Sequence, residues 1–226
     1  MYATLMGIAA LWGVATGLLV PRAAYRFAVP PGEPWRTAPA AGHPLAGPPP
    51  RLLAPLVTAL ACAALARSTG TRPELAVWLV LAPVGVLLAS IDHRVHRLPD
   101  LLTLPAAGAA AVLLGPAALL PEHAGSWLSA LLGGLALGGF YFLLFLINPD
   151  GMGLGDVKLA LSLGTVLGWY GWAVVFAGGF AGFLFGAVYG LALVVLRRAG
   201  RKTGIPFGPF MIAGAFLGLL FGGLAA

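Results

Sequence analysis

The sequence predicts an all-α, polytopic membrane bundle of about eight transmembrane helices with its N-terminus outside. Three observations carry that expectation. First, only 9% of the 226 residues are charged and 60% are hydrophobic, whereas a soluble domain is about one-quarter charged. Second, most of the chain falls into apolar stretches of roughly 17 to 25 residues, the length a helix needs to cross the hydrocarbon. Third, the short alternating segments of a membrane β-barrel are missing. The excess of basic residues, 13 against seven acidic, reports orientation in such a chain rather than nucleic-acid binding.

The spans are expected at roughly 2–20, 52–67, 74–91, 101–119, 126–147, 155–169, 172–196 and 205–225, with the second and sixth short. The first is apolar but has no Lys or Arg before it; Arg22 and Arg26 follow it. A cleaved secretory signal has the opposite arrangement, so a retained span is expected. Residues 21–51 then hold nine of the 19 prolines and read as an extended or disordered cytoplasmic linker without helix. Residues 52–226 form the membrane-embedded domain. With the N-terminus outside, Arg22, Arg26, Arg36, Arg51, Arg94, Arg97, Lys158, Arg197, Arg198, Arg201 and Lys202 fall on the inner side. Only Arg67 and Arg72 fall outside, and dropping one span would spoil this bias. The many glycines of the later spans are expected to let helices approach closely. Cys62 is the one cysteine, so neither an internal disulfide nor a cysteine metal cluster can form. His43, His93, His96 and His123 lack metal-ligand spacing.

Two of the seven acidic residues sit where a membrane span meets a loop. Asp92 follows WLVLAPVGVLLASI, and Asp156 stands inside GMGLGDVKLA. Ionisable groups at such places are costly and tend to be functional; the bland alternative is that each marks a helix end, Asp156 as an N-cap. As a pair they suggest chemistry. Two carboxylates brought together share a proton, so one can take a proton from water while the other donates to a scissile carbonyl. Gly153 and Gly155 then free the backbone beside Asp156 for unusual angles and for a peptide substrate. Lys158 either orients a carboxylate or binds a polar group, or else anchors the helix by snorkelling. The GxxxxGK[ST] spacing of a phosphate loop is absent.

Three strings in order, IDHRVHRLPDLLTLP, GMGLGDVKLALSLG and IPFGPFMIAGA, resemble the type IV prepilin peptidases, membrane aspartyl proteases with a GxGD motif. The resemblance covers about residues 75–225. It implies a dyad at the cytoplasmic face of the bacterial inner membrane that removes the short basic leader of prepilin-like proteins, cutting after a glycine. Asp92 matches the first aspartate of that family and Asp156 the second. Gly153 and Gly155 match the motif glycines, Pro99 and Asp100 the turn after the first aspartate, and Pro206, Gly208 and Pro209 the late motif. The implied partners are prepilin or pseudopilin substrates with a transmembrane helix, and membrane lipid. Larger family members carry two cysteine pairs, likened to a zinc site, in the first cytoplasmic loop. That loop lacks cysteine here, so no metal is expected. Proteolysis needs no cofactor; S-adenosylmethionine enters only if the N-methyltransferase activity of many members is retained.

Two further expectations come from the residues. Asp92 closes a helix and Asp156 opens one, so helix dipoles should leave Asp156 as the charged base and Asp92 as the protonated acid. Asp100 and Asp150 should attract the basic leader; the plainer reading is that they solvate loops. Presenilin-like or signal-peptide-peptidase-like proteases share GxGD but place the first aspartate in a YD context and carry a late PAL, where this chain has ID and PFGP. A small transporter would show inverted halves with matched broken helices, and none are visible.

Overall fold

The structure, a computed structural model, describes residues 2–29, 35–36, 52–149, 151–196 and 205–226. Among them stand nine α-helices and no strand: α1 Tyr2–Gly17, α2 Val20–Phe27, α3 Leu53–Thr69, α4 Glu74–Val95, α5 Asp100–Ala117, α6 Trp127–Ile147, α7 Leu154–Gly168, α8 Trp172–Val195 and α9 Gly208–Ala225. A helix occupies each of the eight expected spans. Six helical segments are long and apolar enough to cross a membrane, the first being α1 and α2 together. The two short spans are α3, of 17 residues, and α7, of 15. At 1.5 Å per residue α7 is only about 22 Å long, short of a ~30 Å hydrocarbon core. Its position compensates: nine of its residues are buried, and it packs against α5, α6, α8 and α9. By contrast α8 buries only Val175, Gly178 and Gly182 and turns Phe176, Phe180 and Leu191 outward, as a lipid-facing helix does.

Apolar side chains gain little by leaving lipid for one another, so close backbone contact must hold such helices together. The glycines supply it. A Cβ on Gly133 of α6 would lie 2.7 Å from the carbonyl oxygen of Gly164 in α7, and one on Gly13 of α1 would lie 2.6 Å from Cα of Ala59 in α3. Gly133→Val is therefore expected to force α6 off α7, at a cost of about 1–3 kcal/mol, and to lower the thermal midpoint of the detergent-solubilised protein. Gly139, in the same helix, has open space where a Cβ would go, so Gly139→Ala should leave the midpoint where it was.

One expectation is corrected. The linker was expected to hold no helix, yet α2 begins at Val20 and runs into it as far as Phe27. The reason is positional. Pro21 lies in the first turn, where its missing N–H is not needed, and the other eight prolines come after residue 29. Val20, Ala24 and Ala28 are buried at four-residue spacing while Arg22 and Arg26 are exposed, which seats α2 against α4. Of residues 30–51, only Trp35 and Arg36 are among the described residues.

Polar groups collect at both ends of the bundle. Where α4 begins and α7 and α9 end, Glu74 is fully buried. Tyr170 donates to its Oε1 at 3.5 Å, Trp78 Nε1 donates to the Tyr170 hydroxyl at 3.2 Å, and Arg72 donates to the carbonyl of Gly223 at 2.9 Å. The other end, where α4 finishes and α5, α7 and α9 start, holds the residues picked out by the motifs.

Candidate active site

Asp92 is fixed by the ends of two helices. The helix carrying it was expected to stop at residue 91; α4 instead continues one turn further, to Val95. It ends because His96 turns left-handed, at φ 49°, and its N–H closes on the carbonyl of Asp92 at 2.8 Å. Histidine is among the non-glycine residues that tolerate that region. Pro99 then forms the extended N-cap of α5. Asp92 therefore lies inside the last turn and is only 4% exposed. Its Oδ2 accepts the N–H of Gly208, the first residue of α9, at 2.9 Å.

Asp156 stands in the first turn of α7, and its Oδ2 accepts the N–H of the N-cap residue Gly153 at 3.2 Å. Capping thus accounts for one of its oxygens. For both aspartates, Oδ1 has no hydrogen-bond partner among the described residues. Gly153 does not adopt the unusual angles expected of it: φ −80° and ψ 149° are ordinary extended backbone. The motif glycines matter through space instead. A Cβ on Gly155 would meet Cβ of Leu98 at 2.9 Å, and one on Gly208 would meet Asp92 Oδ2 at 2.9 Å. Gly155 lets the turn after α4 lie against the start of α7, and that contact brings the two carboxylates to one place.

That place is a cavity of about 430 Å³, lined by Asp92 and Asp156 together with Gly153, Gly155, Asp100 and Lys158. Lys158 meets a carboxylate, that of Asp100 rather than of Asp92 or Asp156. Its Nζ lies 2.7 Å from Asp100 Oδ1. Pro206 leads into α9, and Pro209 occupies its first turn. Asp150 lies outside the described residues. A second helix end bears on the expected difference between the carboxylates. Asp92 does ride on the negative end of α4, but it faces the positive end of α9 through Gly208. Both carboxylates meet a helix N-terminus, but only Asp92 also carries the negative end of a helix, so the helix ends still favour charge on Asp156, by a smaller margin.

Sequence reasoning passed over three neighbours. Trp35 and Leu98 line the same cavity, and the buried Tyr141 of α6 stands near enough to Asp156 to feel its charge. Tyr141 could have been noticed as the one hydroxyl in FYFLLF; nothing in the linker marked Trp35.

The type IV leader peptidase family matches residues 79–191, half of the chain and the stretch that carries both aspartates. This chain belongs to that family. Among curated relatives, the prepilin leader peptidase/N-methyltransferase of Aeromonas salmonicida is 34% identical over 174 residues, 76% of this chain and 56% of the relative. Proteins of the same name from Bacillus subtilis and Pseudomonas aeruginosa are 35% and 32% identical, each over 75% of this chain and over 65% and 58% of their own lengths. The chain thus spans a little more than half the length of most of these leader peptidases. No solved structure matches it.

Proposed function

We propose that this member of the leader peptidase family is a membrane aspartic endopeptidase that removes the basic leader from prepilin-like proteins. One observation carries the reading: Asp92 and Asp156, 64 positions apart in the chain, line one cavity at the same end of the bundle. Each is held there by a backbone N–H on one oxygen only. The free oxygens can hold a water between them. One carboxylate takes a proton from that water as its oxygen bonds to the scissile carbonyl carbon. The other gives a proton to the carbonyl oxygen. The resulting gem-diol collapses when the first carboxyl, now protonated, gives its proton to the amide nitrogen, the C–N bond breaks, and the second carboxylate takes a hydroxyl proton, which restores the starting pair. The positive-inside pattern supports a cytoplasmic position for this end of the bundle, which carries Arg94, Arg97 and Lys158, with the membrane taken as the bacterial inner membrane. The dyad works there on a leader that carries the same sign of charge as those three residues.

Co-expression with a candidate prepilin tests the whole reading. A gel shift reports cleavage, and mass spectrometry of the mature N-terminus reports the cut position. The same spectrum shows whether the new amine is methylated by S-adenosylmethionine, the second activity in the relatives' name. An uncut prepilin panel would remove the proposal.

Recruitment of the leader by Asp100 takes a definite form. Asp100 is 61% exposed, but its charge is answered by Lys158, and an exposed pair of this kind contributes only about 0–1 kcal/mol to stability. Asp100→Ala, which leaves the Lys158 ammonium unanswered, should lower leader-peptide affinity a few-fold at low salt. Lys158→Ala, which frees the carboxylate, should raise affinity a few-fold at about 10 mM salt and lose that gain at about 0.15 M, where screening sets in. Fluorescence anisotropy of a labelled leader peptide reads both outcomes.

A further inference from the structure

Asp92 hangs from the inner half of α4, and that half follows a proline. Pro83 stands inside the helix. It has no N–H to give the carbonyl of Leu79, four residues back, and a proline ring bends a helix at that point. Within a membrane a carbonyl freed in this way is costly unless another group reaches it. The donor here comes from a different helix. Trp12 of α1 donates its indole N–H to the Leu79 carbonyl at 2.9 Å. That indole stands away from the membrane surface, where tryptophan usually collects. Trp12 lies about 15 Å along α1 from Tyr2, half-way into a ~30 Å hydrocarbon core. Two groups that lipid would leave unsatisfied therefore answer one another. The indole is held at the right distance by α3. A Cβ on Gly13 would lie 2.6 Å from Cα of Ala59, and one on Gly17 would lie 2.6 Å from Cα of Pro55. So α1 lies directly on α3, which in turn packs against α4.

We infer that Trp12 is a positioning residue for the carboxylate pair: through the carbonyl that Pro83 frees, its indole fixes the direction of the inner half of α4 and hence the place of Asp92. Trp12 does not line the cavity and carries no charge, so it acts only through the course of α4. The lever is long enough. Asp92 lies about 14 Å along the helix from Pro83, and a change of about 5° there swings it by about 1 Å. A misplacement of about 1 Å at a reacting group can cost about 10²-fold in rate. The bond from Gly208 to Asp92 resists part of that swing, so removing the indole N–H should lower kcat by about tenfold rather than abolish it. The kinetic consequence rests on the endopeptidase reading; the course of α4 does not.

The test is a double-variant cycle on the full chain in detergent, because the Leu79 carbonyl can be satisfied in two ways. Trp12→Phe removes the N–H and keeps an aromatic ring. Pro83→Ala supplies an N–H from within α4 itself. With Pro83 in place, Trp12→Phe should lower kcat on a prepilin peptide about tenfold and leave KM within about twofold. In the Pro83→Ala background the same substitution should change neither, since Leu79 no longer needs the indole. A second readout needs no turnover. Spin labels on Arg94→Cys and Val195→Cys, both at exposed positions and in a Cys62→Ala background, report the distance across the inner end of the bundle from α4 to α8, which packs on α6, α7 and α9. Pulsed electron resonance should show that distance shifted or broadened by Trp12→Phe when Pro83 is present, and unmoved by it when Pro83→Ala is also made. An equal loss of rate in both backgrounds, or a Trp12→Phe protein with wild-type kcat, overturns the positioning role and leaves the peptidase standing. Where no turnover can be read, in Pro83→Ala or in wild type, the distances decide: one that Trp12→Phe leaves unchanged overturns the inference. A wild type that cuts nothing in a sound prepilin panel removes the peptidase reading separately.

Discussion

Asp92→Asn and Asp156→Asn should each abolish detectable leader cleavage while leaving the protein folded. The expected loss is at least 10²–10⁴-fold, the range for removing a positioned general acid or base. Asparagine keeps the shape of the side chain, and its amide oxygen still accepts one N–H. The bonds from Gly208 to residue 92 and from Gly153 to residue 156 can therefore persist, so α9 and α7 stay in register. What asparagine cannot do is exchange a proton with water or with the tetrahedral intermediate. The double variant should be no slower than the worse single one, because the two groups act on one water and their losses do not add. Kinetics on a prepilin peptide, alongside thermal midpoints within a degree or two of wild type, would check both halves. Cleavage by either single variant at more than a few per cent of wild type would mean that the carboxylate is not part of the chemistry.

The helices were easy to read from the sequence, because long apolar runs broken by charged or proline-rich turns leave few alternatives. The short α7 was legible too, although its length makes sense only once it is seen sheltered by four neighbours. Much of the site was also visible. The costs of placing Asp92 and Asp156 against apolar sequence single them out whatever the fold. What stayed hidden were facts about contact across the chain. Asp92 was read as sitting at a negative helix end, and nothing local says that α9, over a hundred residues later, turns its N-terminal amide onto it. The glycines beside Asp156 were read as conformationally special, the usual meaning of glycine in a motif. Their backbone is ordinary, and what Gly155 provides is room for Leu98, which only the folded chain brings near. Trp35 gave no signal because its neighbourhood is set by α2, a helix that the proline count argued against.

The same geometry makes an unequal forecast for three glycines that the motifs treat alike. Gly153→Ala should be tolerated. Its Cβ would stand 3.5 Å from Asp156 Oδ2, an ordinary contact, on a backbone that alanine readily adopts. The weaker helix start should cost only a few tenths of a kcal/mol to about 1 kcal/mol. Gly155→Ala and Gly208→Ala should behave very differently. At Gly155 the new methyl meets Leu98 Cβ at 2.9 Å, and a Cβ cannot rotate away, so α7 must part from the turn after α4 and carry Asp156 with it. At Gly208 the methyl meets Asp92 Oδ2 at 2.9 Å and Cγ at 3.2 Å. Either the carboxylate swings off its backbone N–H or α9 withdraws. A displacement of about 1 Å at a reacting group can cost about 10²-fold in rate, so both variants should lose cleavage by that order, chiefly in kcat, with Gly153→Ala nearly as fast as wild type. Activity ranked against Cβ clearance would tie turnover to how Asp92 and Asp156 are aimed. Equal losses at all three positions would show instead that the glycines serve something other than the spacing of these two carboxylates, such as the approach of substrate backbone to Gly153 itself.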